Sequence, residues 1–162
     1  MDERIRSAEL FTGLSAGRLL RLSTIGRPRA LRAGEYLFLL GDSAQHLCIV
    51  VSGQIELCFP LSFGDVVKDI AVESAGPGKT VGWSALVKPF HFTLSARAAE
   101  PTEVIAFGRH DLLQVFESDE ETRRTIVDGI SELIANRLSM FQALWARELQ
   151  RRLTSGGQRA TI

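Results

Sequence analysis

The residues whose types and spacing suit chemistry are Gly82-Trp83-Ser84-Ala85-Leu86 and, ten positions after that glycine, Phe92-Thr93. A turn glycine followed by small and apolar residues that open a short helix points backbone N–H groups at an anion. The frame suits a phosphate, yet neither Trp83 nor Phe92 carries a charge to meet one. Trp83 offers an indole donor and a flat apolar face, and Phe92 offers only a ring. Anion contacts are then left to the N–H groups near Ser84 and Ala85, the hydroxyls of Ser84 and Thr93, and the cations Lys88 or His91. Two other readings stay open. Trp83, Phe90 and Phe92 line a pocket for an apolar or flat ligand, or they fill the interior and close it.

Other chemistries lack their patterns. His46, His91 and His110 are far apart, with no His-x-His or Glu-x-x-His arrangement, so no metal site is expected. Two cysteines fall short of an iron–sulfur set. Gly76-Pro77-Gly78-Lys79-Thr80 lacks the spacing of a phosphate-binding P-loop, and there is no Gly-x-Ser-x-Gly elbow. No catalytic residue and no cofactor is assigned, and the chain reads as non-enzymatic.

The elements that position the Gly82 segment follow from texture. From about Ala8 to Ile25, Leu10, Phe11, Leu14, Leu19, Leu20, Leu22 and Ile25 have helical spacing, with Ser15 as N-cap. From Pro28 to about Phe107 the chain breaks into short apolar runs cut by Ala33-Gly34-Glu35, Gly41-Asp42-Ser43, Ser52-Gly53-Gln54, Phe63-Gly64-Asp65 and Gly76-Pro77-Gly78. Such punctuation predicts a β sandwich, roll or barrel. Leu47–Val51 and Ile55–Phe59 read as one hairpin, and 54–61 with 66–73 as another. The first hairpin sets Cys48 near Cys58, where a disulfide is conceivable, although two buried thiols suit a reducing compartment better.

After Phe107 the period is helical again. Leu112, Leu113, Val115 and Phe116 mark a short helix, and Ser118 with Glu121 forms a capping box for a long one. Along that helix Ile134, Leu138, Phe141 and Trp145 step by four, three and four, the spacing of a coiled-coil seam and hence of a dimer interface. The expected division is 8–125 for the β domain with flanking helices, 126–153 for the terminal helix, and 154–162 for a flexible polar tail.

With 45% hydrophobic and 23% charged residues, the 162-residue chain has a soluble globular composition. Lysine plus arginine balance aspartate plus glutamate at 19 each, so no nucleic acid or anionic membrane is expected as the main partner. The charged start and the lack of a long apolar run predict neither secretory signal nor membrane span, and a cytoplasmic location.

The order of these landmarks resembles the cyclic nucleotide-binding domain superfamily, and in particular its bacterial catabolite-activator-like regulatory domains. Helices lead in, Gly34-Glu35, Gly41-Asp42 and Ser52-Gly53 punctuate the strands, Gly76-Pro77-Gly78 precedes the Gly82 cassette, and two helices close the module. The resemblance covers about Leu10 to Leu144. It implies an α+β fold: an eight-stranded antiparallel β-roll of jelly-roll type with N-terminal helices, a short cassette helix and a long C-terminal helix. In that family the cassette reads approximately Gly-Glu-x-Ala-Leu, followed by an arginine. Gly82, Ala85 and Leu86 match, whereas Trp83 stands where the ribose-binding glutamate belongs and Phe92 where the phosphate-binding arginine belongs. The implied function is a regulatory or sensor domain that binds cyclic AMP or cyclic GMP weakly or not at all. The alternative is a ligand-free dimerisation or docking module with an aromatic-filled pocket. A small-molecule effector, a second copy of the chain and an unidentified protein are the expected partners. No helix-turn-helix motif is visible after Leu153, so DNA binding by this chain is not expected.

Overall fold

The structure is a computed structural model that describes residues 2–157. Short helix α1 (Asp2–Arg6), a 3-10 turn (Glu9–Phe11) and α2 (Ala16–Ile25) lead in. Eight strands follow: β1 (Gly26–Leu31), β2 (Tyr36–Phe38), β3 (His46–Ser52), β4 (Ile55–Phe63), β5 (Val66–Ala75), β6 (Thr80–Val81), β7 (Ser95–Ala98) and β8 (Thr102–Gly108). A 3-10 turn, Trp83–Leu86, separates β6 from β7, and α3 (Arg109–Ser118) and α4 (Glu120–Gly157) are the last elements among the described residues. The strands form two antiparallel four-stranded sheets, ordered β1-β8-β3-β6 and β2-β7-β4-β5. This is the expected α+β β-roll.

The first sheet is covered on both faces, because both alternate sets of its central side chains are apolar. On the inner face Cys48, Val50 and Val104 meet Leu37, Ile55, Leu57, Leu94, Ala96 and Ala98 of the second sheet and the segment leading into it. On the outer face Leu47, Ile49, Ile105 and Phe107 are buried as completely. There Phe11 meets Phe107 edge to face, with ring centres 5.4 Å apart. The second sheet has a polar outer side, where Arg97 donates to Glu56 at 2.8 Å and the Tyr36 hydroxyl donates to Asp69 at 2.6 Å.

The expected hairpin between 54–61 and 66–73 is present as β4–β5, paired from Phe63 opposite Val66 to Ile55 opposite Ala75. The expected hairpin between Leu47–Val51 and Ile55–Phe59 is not. β3 pairs with β8 and β6, β4 pairs with β5 and β7, and the turn at Gly53 carries the chain from one sheet to the other. Cys48 and Cys58 therefore sit on different sheets as free, buried thiols. Gly53 has φ +78°, and a Cβ there would lie 2.5 Å from the Pro101 carbonyl oxygen and from Thr102 Oγ1. Thr102 ties the crossing together: its hydroxyl accepts from the Gln54 N–H at 3.0 Å and donates to the Gln54 carbonyl at 3.2 Å.

Ser15 caps α2 as expected, its side chain accepting from the Arg18 N–H. The cap of α4 is Asp119 rather than Ser118. The Ser118 hydroxyl already donates to the Gln114 and Val115 carbonyls, whereas Asp119 accepts from the Thr122 N–H at 3.1 Å and the Thr122 hydroxyl at 2.8 Å. Arg18 adds a fork to the same carboxylate at 3.0 and 3.2 Å. The first turns of α4, through Ile126, belong to the unit that contains the roll, and a second unit begins at Val127. Within that second unit Leu138, Phe141, Leu144 and Trp145 are exposed and Ile134 is half-buried. Residues 154–157, expected in the tail, continue the helix, and 158–162 lie outside the described residues.

Gly53→Ala combines a left-handed backbone with a backbone clash, so it is expected to cost about 1–3 kcal/mol in urea unfolding. A loss below a few tenths of a kcal/mol would show that the crossing relaxes freely. The hydrogen bonds from Thr122, then the Arg18 guanidinium, hold the Asp119 carboxyl below its ordinary value. A depressed folded value means stability that is present above the unfolded-state value, about 3.9, and lost as pH falls through the folded one. Asp119→Ala is expected to lower Tm at neutral pH and to flatten the acid limb of the Tm–pH curve. An unchanged acid limb would remove Asp119 from that role.

Candidate functional site

The cassette is anchored from both ends. Strand β6 pairs Val81 with Cys48 and Thr80 with Ile49. Glu9 grips the entry to that strand, accepting from the Thr80 N–H at 2.8 Å and from Lys79 Nζ at 3.0 Å. Gly82 then turns with φ +77°, where a Cβ would lie 2.8 Å from the His46 carbonyl oxygen. Only glycine fits this turn without a shift of backbone. Within the 3-10 turn, Ser84 and Ala85 are buried, and Trp83 and Leu86 are half-buried. The Ala85 N–H donates to the Gly82 carbonyl at 3.0 Å, so it is engaged inside the turn rather than offered to an anion.

Phe92 occupies the heart of the site. Its N–H donates to the Asp42 carbonyl at 3.0 Å, and its carbonyl accepts from the Gly41 N–H at 2.8 Å, so the β2–β3 loop fixes its backbone on both sides. The ring is 7% exposed and stacks on Phe38, with centres 3.7 Å apart and planes 9° from parallel. A Cβ on Gly82 would be 3.4 Å from both rings. The structure thus brings Gly82 and Phe92 together, while Thr93 is exposed. Lys88 and His91 are exposed as well, His91 next to the Pro89 carbonyl at 2.9 Å. Phe90 has φ +60° and lies beneath the Arg109 guanidinium, 4.7 Å from its ring centre, a cation–π contact outside the cassette turn.

The two rings also line a cavity of about 550 Å³. Leu37, Phe38, Phe92, Cys48 and Ala106 give it apolar walls. Arg27 and Arg29 of β1, His46, Asp42 and Asp111 give it charge and polarity. Of the cassette residues singled out in the sequence only Phe92 lines it, and the arginines were not anticipated. The signal was present: Arg27-Pro28-Arg29 puts two cations two residues apart, on one face of a strand. Register fixes that face as the inner one, because Arg27 lies opposite Ala106 and Ala106 opposite Cys48, and Arg29 lies opposite Val104 and Val104 opposite Val50. Burial pushes the Cys48 thiol up to about 12, against a smaller opposing pull from Arg29, so this sulfur is no nucleophile near neutral pH. Among the described residues no three His, Cys, Asp or Glu side chains gather where they could hold a metal, and no helix is long and apolar enough to cross a membrane.

Comparison with known proteins places this geometry. Residues 28–119 match the family model of the cyclic nucleotide-binding domain. The chain is 31% identical over 137 residues to the cyclic AMP receptor protein of Thermus thermophilus, covering 83% of this chain and 59% of that protein. The crystal structure of the Thermus thermophilus catabolite activator protein superposes with a TM-score of 0.69 at 26% identity, over 86% of this chain and 62% of that one. A cyclic nucleotide-binding domain from Methylobacillus flagellatus reaches 0.72 over 92% of this chain and 80% of that one, a likeness of fold at 17% identity. The chain thus spans about six-tenths of the two Thermus relatives. With the roll, the Gly82 turn and the matched span in agreement, the chain belongs to the cyclic nucleotide-binding domain family.

Proposed function

We propose that this regulatory domain is a non-enzymatic module whose cassette binds cyclic AMP or cyclic GMP weakly or not at all. The observation that carries the reading is the Phe38–Phe92 stack beside Gly82, where the family's arginine would meet a phosphate. A charge-assisted pair of that kind is worth about 1.5–3 kcal/mol, roughly ten- to a hundredfold in affinity. Trp83 replaces the ribose acceptor with a donor and an apolar face. Free thiols at Cys48 and Cys58 suit a cytoplasmic setting.

A second reading rests on a different observation. The exposed Leu138, Phe141 and Trp145 continue the seam that begins at Ile134, and an exposed stripe of this kind is what a helix–helix dimer covers. In this reading the chain pairs with a second copy through Ile134, Leu138, Phe141 and Trp145, and an unidentified protein reads the outcome. Ligand-free docking and ligand-shifted docking share that interface. They differ in whether occupancy of the roll changes what the helix presents, which requires unequal ligand affinity for two states.

Isothermal titration with cyclic AMP, the ligand in the name of the Thermus relative, tests the cassette. The natural chain is expected to bind with millimolar affinity or not at all, and Trp83→Glu with Phe92→Arg to bind at least roughly tenfold tighter. Micromolar binding by the natural chain would overturn the proposal. For the interface, sedimentation is expected to show a dimer that Trp145→Ala shifts toward monomer. A natural chain that stays monomeric at high concentration would remove the seam from this role.

A further inference from the structure

The cavity beside the Phe38–Phe92 stack shares only Phe92 with the residues singled out in the cassette. None of Gly82–Leu86 lines it. Its size falls within the range of about 300–1,000 Å³ typical of small-molecule sites. The distribution of its polar groups narrows what fits.

Arg27 and Arg29 project from the inner face of an edge strand, about 7 Å apart along it at the strand rise. That face continues into the apolar floor of Ala106 and buried Cys48. Among the described residues Arg29 has neither hydrogen bond nor ion pair, and Arg27 donates only to the Thr24 carbonyl, at 3.2 Å. The field of Arg29 reaches the buried Cys48 sulfur, which places positive potential over the floor. Asp42 and Asp111 line the same cavity, yet neither lies within ion-pairing reach of the two arginines. Two guanidinium and two carboxylate charges sum to zero. With no net charge to draw an anion, the attraction is local to the arginine wall, and a polyphosphate is disfavoured because both carboxylates would repel it. The stacked rings, which line the same cavity, supply a flat apolar surface.

We propose that this cavity binds a small organic monoanion, with its carboxylate held by Arg29 and Arg27 and its flat apolar body against Phe38 and Phe92. Guanidinium matches carboxylate in a two-pronged geometry that lysine or a neutral amide does not reproduce. The site goes beyond the cassette reading and stands without it.

Benzoate and its neutral isostere benzamide test the site by titration into the ¹⁵N-labelled chain, followed by amide chemical shifts. Benzoate is expected to give saturable shifts that are largest at Arg27, Arg29, His46 and Ala106 and smaller through Gly82–Leu86, where only Gly82 abuts the two rings. Benzamide, and benzoate with the Arg29→Gln or Arg27→Gln chain, are expected to bind roughly tenfold more weakly, with the dispersed spectrum showing that each variant is folded. The absence of saturable shifts, equal binding of benzamide, or unchanged affinity in both variants would overturn the site. Shifts centred on Gly82–Leu86 would do so as well. Cyclic AMP in a separate titration reads the cassette amides, so the two proposals fail independently.

Discussion

Strand β8 is the constraint on which the roll depends. It pairs on both edges, with β1 and β3, and its side chains are called on by both faces: Val104 toward the second sheet, Ile105 and Phe107 toward the helices. Along its enclosed middle, Val104 to Phe107, such a strand carries no charge, since each unpaired buried ion would cost several kcal/mol, and its one acid, Glu103, is exposed near the strand's start and paired with Arg4. Its partner β3 shares the restriction, and Leu47-Cys48-Ile49-Val50 is accordingly an unbroken apolar run. On β1, at one edge of the sheet, inward orientation coincides with access to water. Arg27 and Arg29 are placed there, and the cavity owes its positive wall to that edge.

The same economy explains the cassette. Gly82 must turn against the His46 carbonyl, so the backbone of this segment is fixed by sterics independent of any ligand. Phe92 is held by two backbone hydrogen bonds to the Gly41-Asp42 loop and by its stack on Phe38. Apolar contact and backbone hydrogen bonds therefore hold this position without any charge. The roll keeps its geometry because backbone hydrogen bonds and glycine conformation set it, not the side chains that would touch a nucleotide. Fold and ligand are in this sense separately encoded.

How much was legible follows from which interactions are local. The β4–β5 hairpin was readable because its turn, Phe63-Gly64-Asp65, joins two strands that pair with each other. Ser52-Gly53 gives an equally strong turn signal, but the chain there leaves one sheet for the other, and a turn residue carries no information about the partner of the strand it starts. Ser118 and Asp119 are adjacent residues able to cap, and the choice was made by the α3 carbonyls that engage Ser118. The cassette frame was visible in Gly82, Ala85 and Leu86. The arginines of the cavity were hidden because alternation along β1 says that one face differs from the other, while only pairing with distant β8 says which face is inside.

That pairing joins segments from opposite ends of the roll: Gly26 lies opposite Phe107, and every other strand falls between them in the chain. Closing so long a loop must precede the contacts that reward it, which makes such topologies slow to assemble compared with a local hairpin. The wall formed by Arg27 and Arg29 therefore exists only once the whole circuit is shut. Any molecule held there adds its binding energy to the completed roll alone and draws partly assembled forms toward it.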